Sequence, residues 1–176
     1  MSIETLIGPI PTAIEFTPVF FDLGIEAEQV KLKALAKSGA IRRVSDDYEE
    51  ELQELFQIQN PTKVYTPDFK NIFKQYLAEL EAKTPLWQQG KWVYYPWSST
   101  LVHILPEEDF CRVRTARNRN LINEEEQEKF YNATVGIGGL SVGSSVALAL
   151  ALQGGAKHLK LADMDRLALS NTNRIL

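Results

Sequence analysis

The sequence predicts an α/β protein in two parts. Residues 1–114 read as an α+β region of helices and one β-hairpin, and residues 115–176 as the first βαβ unit of a larger domain, truncated. Three observations lead there. Apolar residues recur at helical spacing between residues 26 and 83. Two aromatic and β-branched runs flank a turn within residues 91–105. From Val135 onward, a glycine-rich turn joins an apolar run to an alanine-rich segment, and a second apolar run follows.

The totals set limits on function. A chain of 176 residues holds one medium domain or two small ones. A net charge of −4 argues against a nucleic-acid or anionic-membrane surface. The single cysteine, Cys111, permits no internal disulfide and fits a reducing compartment. No run approaches the length of a membrane span, and the N-terminus lacks a basic-then-apolar signal pattern. The expected location is the cytoplasm. No internal repeat or low-complexity tract is visible.

Taken in order, residues 1 to about 24 carry Pro9, Pro11 and Pro18, which fix φ and remove donors. An extended lead-in is expected, strapped to a neighbour by Phe16, Val19, Phe20 and Phe21. A first helix is predicted over Glu26–Lys37, with Val30 and Ala34 on its packed face and Ser38-Gly39 as the stop. A second is expected to start at Ser45 or Asp46, because Asp46 and Glu49 have capping-box spacing. Its core stripe is Tyr48, Leu52, Leu55 and Phe56, and Asn60-Pro61 ends it. A third is predicted to open at Thr66-Pro67 and to end at Thr84-Pro85. Its stripe is Phe69, Ile72, Phe73, Tyr76, Leu77 and Leu80, which at this spacing reads as core more readily than as a ligand groove.

The hairpin is predicted from Lys91–Pro96, a turn at Trp97-Ser98-Ser99, and Thr100–Leu105. His103 sits inside an apolar strand and reads as a hydrogen-bonded structural residue. Residues 109–113 suggest a short third strand around a buried, inert Cys111. Arg112, Arg114, Arg117 and Arg119 then crowd one segment. They form either a solvated connector or a source of one phosphate-binding guanidinium, always charged and able to grip oxygens in bidentate fashion. Asn123 is expected to cap a short helix, with Glu126 completing a capping box.

The stretch Val135-Gly136-Ile137-Gly138-Gly139-Leu140-Ser141-Val142-Gly143-Ser144 carries the chemistry. A glycine turn ahead of a helix lets backbone N–H groups approach a phosphate, aided by the positive end of the helix dipole. Asp163, at the tip of the second strand, follows Gly143 by about 20 residues, the spacing that suits a ribose hydroxyl. The spacing alone fits a dinucleotide. Ser170-Asn171-Thr172-Asn173-Arg174, close behind Asp163-Met164-Asp165, changes that reading.

Taken together, Gly136-x-Gly138-Gly139, Asp163-x-Asp165 and Ser170-Asn171-x-Asn173-Arg174 resemble the adenylation domain of the ThiF/MoeB/HesA family, relatives of the ubiquitin-activating enzymes. The resemblance covers about residues 115–176 and implies a Rossmann-like ATP-binding domain. It implies that Gly136, Gly138 and Gly139 lie at the ATP phosphates and that Asp163, with Asp165 beside it, holds the ribose. Asn171 and Arg174 would grip the phosphates around the attacked α-phosphorus. Arg117 is the better match to a family arginine that reaches the phosphates, often across a dimer interface, and Arg119 is the second choice. The implied substrate is a ubiquitin-like protein C-terminus or a small carboxylic acid, and the implied assembly a homodimer.

Two departures stand out. Ser141 occupies the place of the family's last glycine, where it either crowds the phosphate or donates a hydrogen bond to it. The family's lysine, magnesium-binding aspartate, catalytic cysteine and zinc-binding cysteine pairs fall past Leu176. No metal ligand is therefore assigned, and the magnesium ligand is expected beyond this stretch. The segment 146–152 is apolar all round and as a helix expects burial on several sides, so a fragment or a covering partner is expected. The run Trp92–His103 is similar to a segment of long bacterial ThiF-family proteins that also carry a nitroreductase-like domain. The competing readings are an NAD- or FAD-binding Rossmann protein and a non-catalytic partner-binding module.

Overall fold

Pro18 sets φ ahead of a short extended run, and that run becomes a strand, β1 (Val19–Phe21). The computed structural model describes residues 16–172, so Pro9, Pro11, Asn173 and Arg174 lie outside the described residues. Of Phe16, Val19, Phe20 and Phe21, expected to strap the lead-in to a neighbour, the last three form β1, and among the four only Phe21 is buried. Helix α1 (Glu26–Lys37) has the predicted limits, and its stop at Ser38 is followed by Gly39 at φ 77°, the left-handed conformation that favours glycine. Its packed face differs from the expected one. Leu32 and Leu35 meet the cluster of Phe21, Leu23, Tyr94 and Leu101, whereas Val30 and Ala34 are exposed.

Residues expected to begin the second helix form a strand instead, β2 (Arg43–Asp46). Asp46 does not complete a capping box with Glu49. Helix α2 (Tyr48–Gln59) starts two residues later with Asp47 at its N-cap and no side-chain cap bond. Tyr48, Leu52, Leu55 and Phe56 are all buried, as the stripe predicts, and Asn60 ends the helix. Helix α3 (Phe69–Lys83) also starts later than Thr66-Pro67 suggests. The Thr66 hydroxyl donates back to the Lys63 carbonyl within a run of turns, and Asp68 becomes the N-cap. Of the α3 stripe only Phe73 is buried.

The hairpin forms as predicted, from β3 (Lys91–Tyr95) and β4 (Thr100–Ile104) paired antiparallel. The first sheet has the order β1-β3-β4-β2. β1 runs antiparallel to β3, and β2 runs parallel to β4 with Asp46 opposite His103.

Residues 109–113 belong to helix α4 (Glu107–Thr115), not to a third strand. Glu107, Glu108 and Asp109 in its first turn and Arg112 and Arg114 in its last complement the helix dipole. Cys111 on this helix is half-buried rather than buried.

The chain divides into two compact units, Met1–Phe110 and Cys111–Leu176. In the second unit, α5 (Glu124–Asn132) carries the predicted capping box, with Asn123 and Glu126 exchanging bonds of 2.9 and 2.8 Å. β5 (Thr134–Gly138) leads through Gly139 into α6 (Leu140–Leu152), and β6 (His158–Ala162) returns parallel to β5. The sequence thus folds as mixed α/β, with two small sheets. Among the described residues, no helix is long and apolar enough to cross a membrane.

Candidate functional site

At the carboxyl ends of β5 and β6 the second unit forms a cavity of about 400 Å³. Its walls are Leu140, Ser141 and Ser144 from the first turns of α6, then Asp163, Asp165, Arg166, Leu167 and Asn171 from the segment after β6. Ligand clefts favour the carboxyl ends of parallel strands, and this volume is in the range of small-molecule sites, roughly 300–1,000 Å³.

The glycine turn sets the geometry. Gly139 lies at φ 84°, which a side-chain-bearing residue rarely adopts. Its N–H donates to the Ala162 carbonyl at 2.9 Å, carrying the pairing of β5 and β6 one step past the strand ends. That places Asp163 over the N-terminus of α6. One oxygen, Oδ2, accepts the Leu140 N–H at 2.6 Å, and Oδ1 accepts the Asp165 N–H at 2.9 Å. The backbone N–H groups of Asp165 and Leu140 hold the Asp163 carboxyl below the usual range, so it is an anion at neutral pH.

Two kinds of glycine separate here. A Cβ on Gly143 would lie 2.7 Å from Ile137 Cγ2, so Gly143 is demanded by the packing of α6 on β5. A Cβ on Gly136, Gly138 or Gly139 would meet nothing within 4 Å. Internal packing gives no reason for glycine at those three positions. Open space above a glycine turn is what a ligand needs for close approach.

Ser141, Asp163, Asp165 and Asn171 thus come together on one cavity, and the turn carrying Gly138 and Gly139 adjoins it. Asn171 Oδ1 accepts from the Ala168 N–H at 2.9 Å, which fixes the short 3-10 turn Leu169–Asn171. Ser144 and Arg166 complete the wall and were not singled out from the sequence. The signals were present. Ser144 follows Ser141 at the i+3 spacing of one helix face, and Arg166 follows Asp165 directly. Among the residues lining the cavity, Arg166 is the one cation beside two carboxylates.

Arg117 lies elsewhere. Its neighbour Asn118 donates to Gln127 and to the carbonyl of Gln153, the C-cap of α6, and Arg114 donates to the Ala151 carbonyl. The arginine segment is therefore fastened to the C-terminal end of α6, where cations complement the dipole. At 1.5 Å per residue, this helix separates that end from the glycine turn by roughly 20 Å. Arg117 and Arg119 are both exposed. Among the described residues, no group of three or more His, Cys, Asp or Glu side chains is placed to hold a metal ion.

No family model matches the chain, and no solved structure matches it. An uncharacterized protein of Mycobacterium tuberculosis is 40% identical over 114 aligned residues. That stretch covers 61% of this chain and 16% of the relative, so this chain spans a small part of the length of the curated relative it matches.

Proposed function

We propose that the second unit supplies the first half of the nucleotide site of a ThiF-type, ATP-dependent adenylyltransferase. The observation that carries the reading is the gathering of Ser141, Asp163, Asp165 and Asn171 on one cavity beside a glycine turn left open by its neighbours. In this reading residues 115–176 begin a Rossmann-like domain.

The donors present fit part of ATP. The Asp163 carboxylate uses one lone pair of each oxygen on backbone N–H groups and keeps others for ribose hydroxyls. Ser141, Ser144, Arg166, the Asn171 amide and the start of α6 supply hydrogen bonds and positive potential for phosphate oxygens. Ser141 thus acts as a hydrogen-bond donor. The reaction is attack of a substrate carboxylate oxygen on the α-phosphorus, with departure of pyrophosphate and formation of an acyl-adenylate. Holding two anions together is the difficulty, so positioning and positive charge are what the chain contributes. A bound magnesium ion would neutralise phosphate charge. Arg117, in the segment fastened to the C-terminal end of α6, serves the site of a second protomer in a homodimer. The substrate class is a ubiquitin-like C-terminus or a small carboxylic acid.

The test is a titration of the chain with a fluorescent ATP analogue. Displacement by ATP but not NADH, with affinity falling about tenfold on Arg166→Ala through the loss of a charge-assisted phosphate bond, supports the reading. Preferential displacement by NADH would replace it with the dinucleotide reading, and absence of nucleotide binding would overturn both.

A further inference from the structure

His103, on β4, is 1% exposed. Its Nδ1 lies 2.8 Å from Asp46 Oδ1, and its Nε2 lies 2.8 Å from the Gln89 carbonyl oxygen. The ring is stacked on both faces. The Trp92 ring is 4.3 Å away at 5°, and the Tyr48 ring is 4.4 Å away at 19°. A carboxylate oxygen and a backbone carbonyl oxygen only accept hydrogen bonds, and a neutral imidazole has one N–H to give. In either neutral tautomer, one of the two 2.8 Å contacts would set lone pair against lone pair at a ring that is itself 1% exposed.

We propose that His103 is held as a buried imidazolium, a charged pin that ties β2, α2 and the segment before β3 to the centre of the first sheet. With both nitrogens protonated, Asp46 and Gln89 each receive a donor. The cost of burying a charge is offset by the Asp46 carboxylate and by two aromatic faces, whose negative π clouds attract a cation.

The groups facing the ring from each packed element favour the charge. β2 contributes Asp46. From α2 come Glu49 and Glu50, which line the adjoining cavity, and Glu51. The cavity of about 500 Å³ beside the ring is lined by Asp46, Tyr48, Glu49, Glu50, Gln53, Leu86 and His103, with no lysine or arginine among them. Burial pushes the Tyr48 hydroxyl up to about 12, so it stays neutral. Burial also raises the Glu51 carboxyl, which accepts the Leu105 N–H at 2.7 Å. From β3 comes Trp92, while Lys91 is occupied by Asp22 at 2.6 Å. From the segment before β3 comes the Gln89 carbonyl. Gly90 follows it at φ 66°, where a Cβ would lie 2.5 Å from the Ile104 carbonyl and 2.6 Å from the Tyr48 ring, so the chain passes close enough to keep Tyr48 over the imidazole.

With both nitrogens engaged, His103 has no lone pair to offer the adjoining cavity and is not a general base.

The test is nitrogen-15 NMR of the full chain at pH 7.5, with His158→Gln assigning the other of the two histidines. Two protonated ring nitrogens on His103 are expected, and one unprotonated ring nitrogen would overturn the proposal. Asp46→Asn removes the counter-charge from a side chain that is 58% exposed and should leave the fold intact. In that variant at pH 7.5, one ring nitrogen of His103 should be unprotonated. Two protonated ring nitrogens there would overturn the role of the ion pair.

Discussion

The two units differ in what their apolar residues do. In the first, Phe21, Leu23, Leu52, Leu55, Phe56, Val93, Leu101 and Leu105 are all buried, drawn from strands and helices that cover one another. In the second, the buried hydrophobic side chains among the described residues are Ala147 and Ala156. Val142, Val146, Leu148 and Leu152 on α6 and Leu161 on β6 are exposed, although this stretch is the most continuously apolar in the chain. Apolar sequence builds a core only where a second layer faces it. One helix on a two-stranded parallel sheet has one covered face, and parallel sheets are stable when covered on both. The first unit accordingly has a self-sufficient interior, and the second has surface suited to burial by something more.

Matched truncations test that contrast and carry the largest expected effect. Leu105 is 1% exposed, so Leu105→Ala should cost about 2–5 kcal/mol through lost burial and the cavity left behind. Leu152 is 63% exposed, and Leu152→Ala should cost less than about 0.5 kcal/mol. All three tryptophans, Trp87, Trp92 and Trp97, lie in the first unit, so urea unfolding followed by tryptophan fluorescence reads that unit alone. Far-UV circular dichroism reads Leu152→Ala. Equal losses would mean that α6 is as well packed as the first core and would end the comparison.

The next effect is smaller and isolates local from tertiary stabilisation in the second unit. Asn123→Ala removes one bond of the capping box on α5, with an expected cost of about 1 kcal/mol. In a unit with little core, that loss should appear first as faster amide exchange in Glu124–Asn132, ahead of any change in the first unit. Unchanged exchange across α5 would show that its packing, rather than its cap, holds it.

What the sequence disclosed follows the same division between local and distant causes. The limits of α1, the stripe of α2, the hairpin and the Asn123–Glu126 box rest on neighbours within a few residues, and all were legible. Strand β2 was not, because its partner β4 lies far along the chain and parallel pairing leaves no turn to announce it. Asp46 carried a local capping signal that lost to its bond with His103. On the candidate site, Ser141, Asp163, Asp165 and Asn171 were legible because they belong to a linear motif. Ser144 and Arg166 carried only weak signals, the i+3 spacing from Ser141 and the adjacency to Asp165, because their place on the wall depends on the segment after β6 folding back over the start of α6. The attachment of the Arg117 segment to the far end of α6 depends on Asn118 meeting Gln153, a contact no spacing reveals.

The smallest expected effect on stability bears most on function. Gly138 ends β5 with no positive φ, and a methyl group there would meet nothing within 4 Å. Gly138→Ala should therefore change stability by less than about 0.5 kcal/mol, unlike substitution at Gly143, where Ile137 stands in the way. If the turn receives a nucleotide phosphate, that methyl group occupies the space the phosphate enters, and ATP-analogue affinity should drop by about tenfold or more, the effect of losing roughly 1.4 kcal/mol of binding. A variant that folds like the parent and binds like the parent would show that the open space over the turn is no ligand seat. A variant that folds like the parent and fails to bind would separate the two reasons a glycine is kept, because at this position packing gives none.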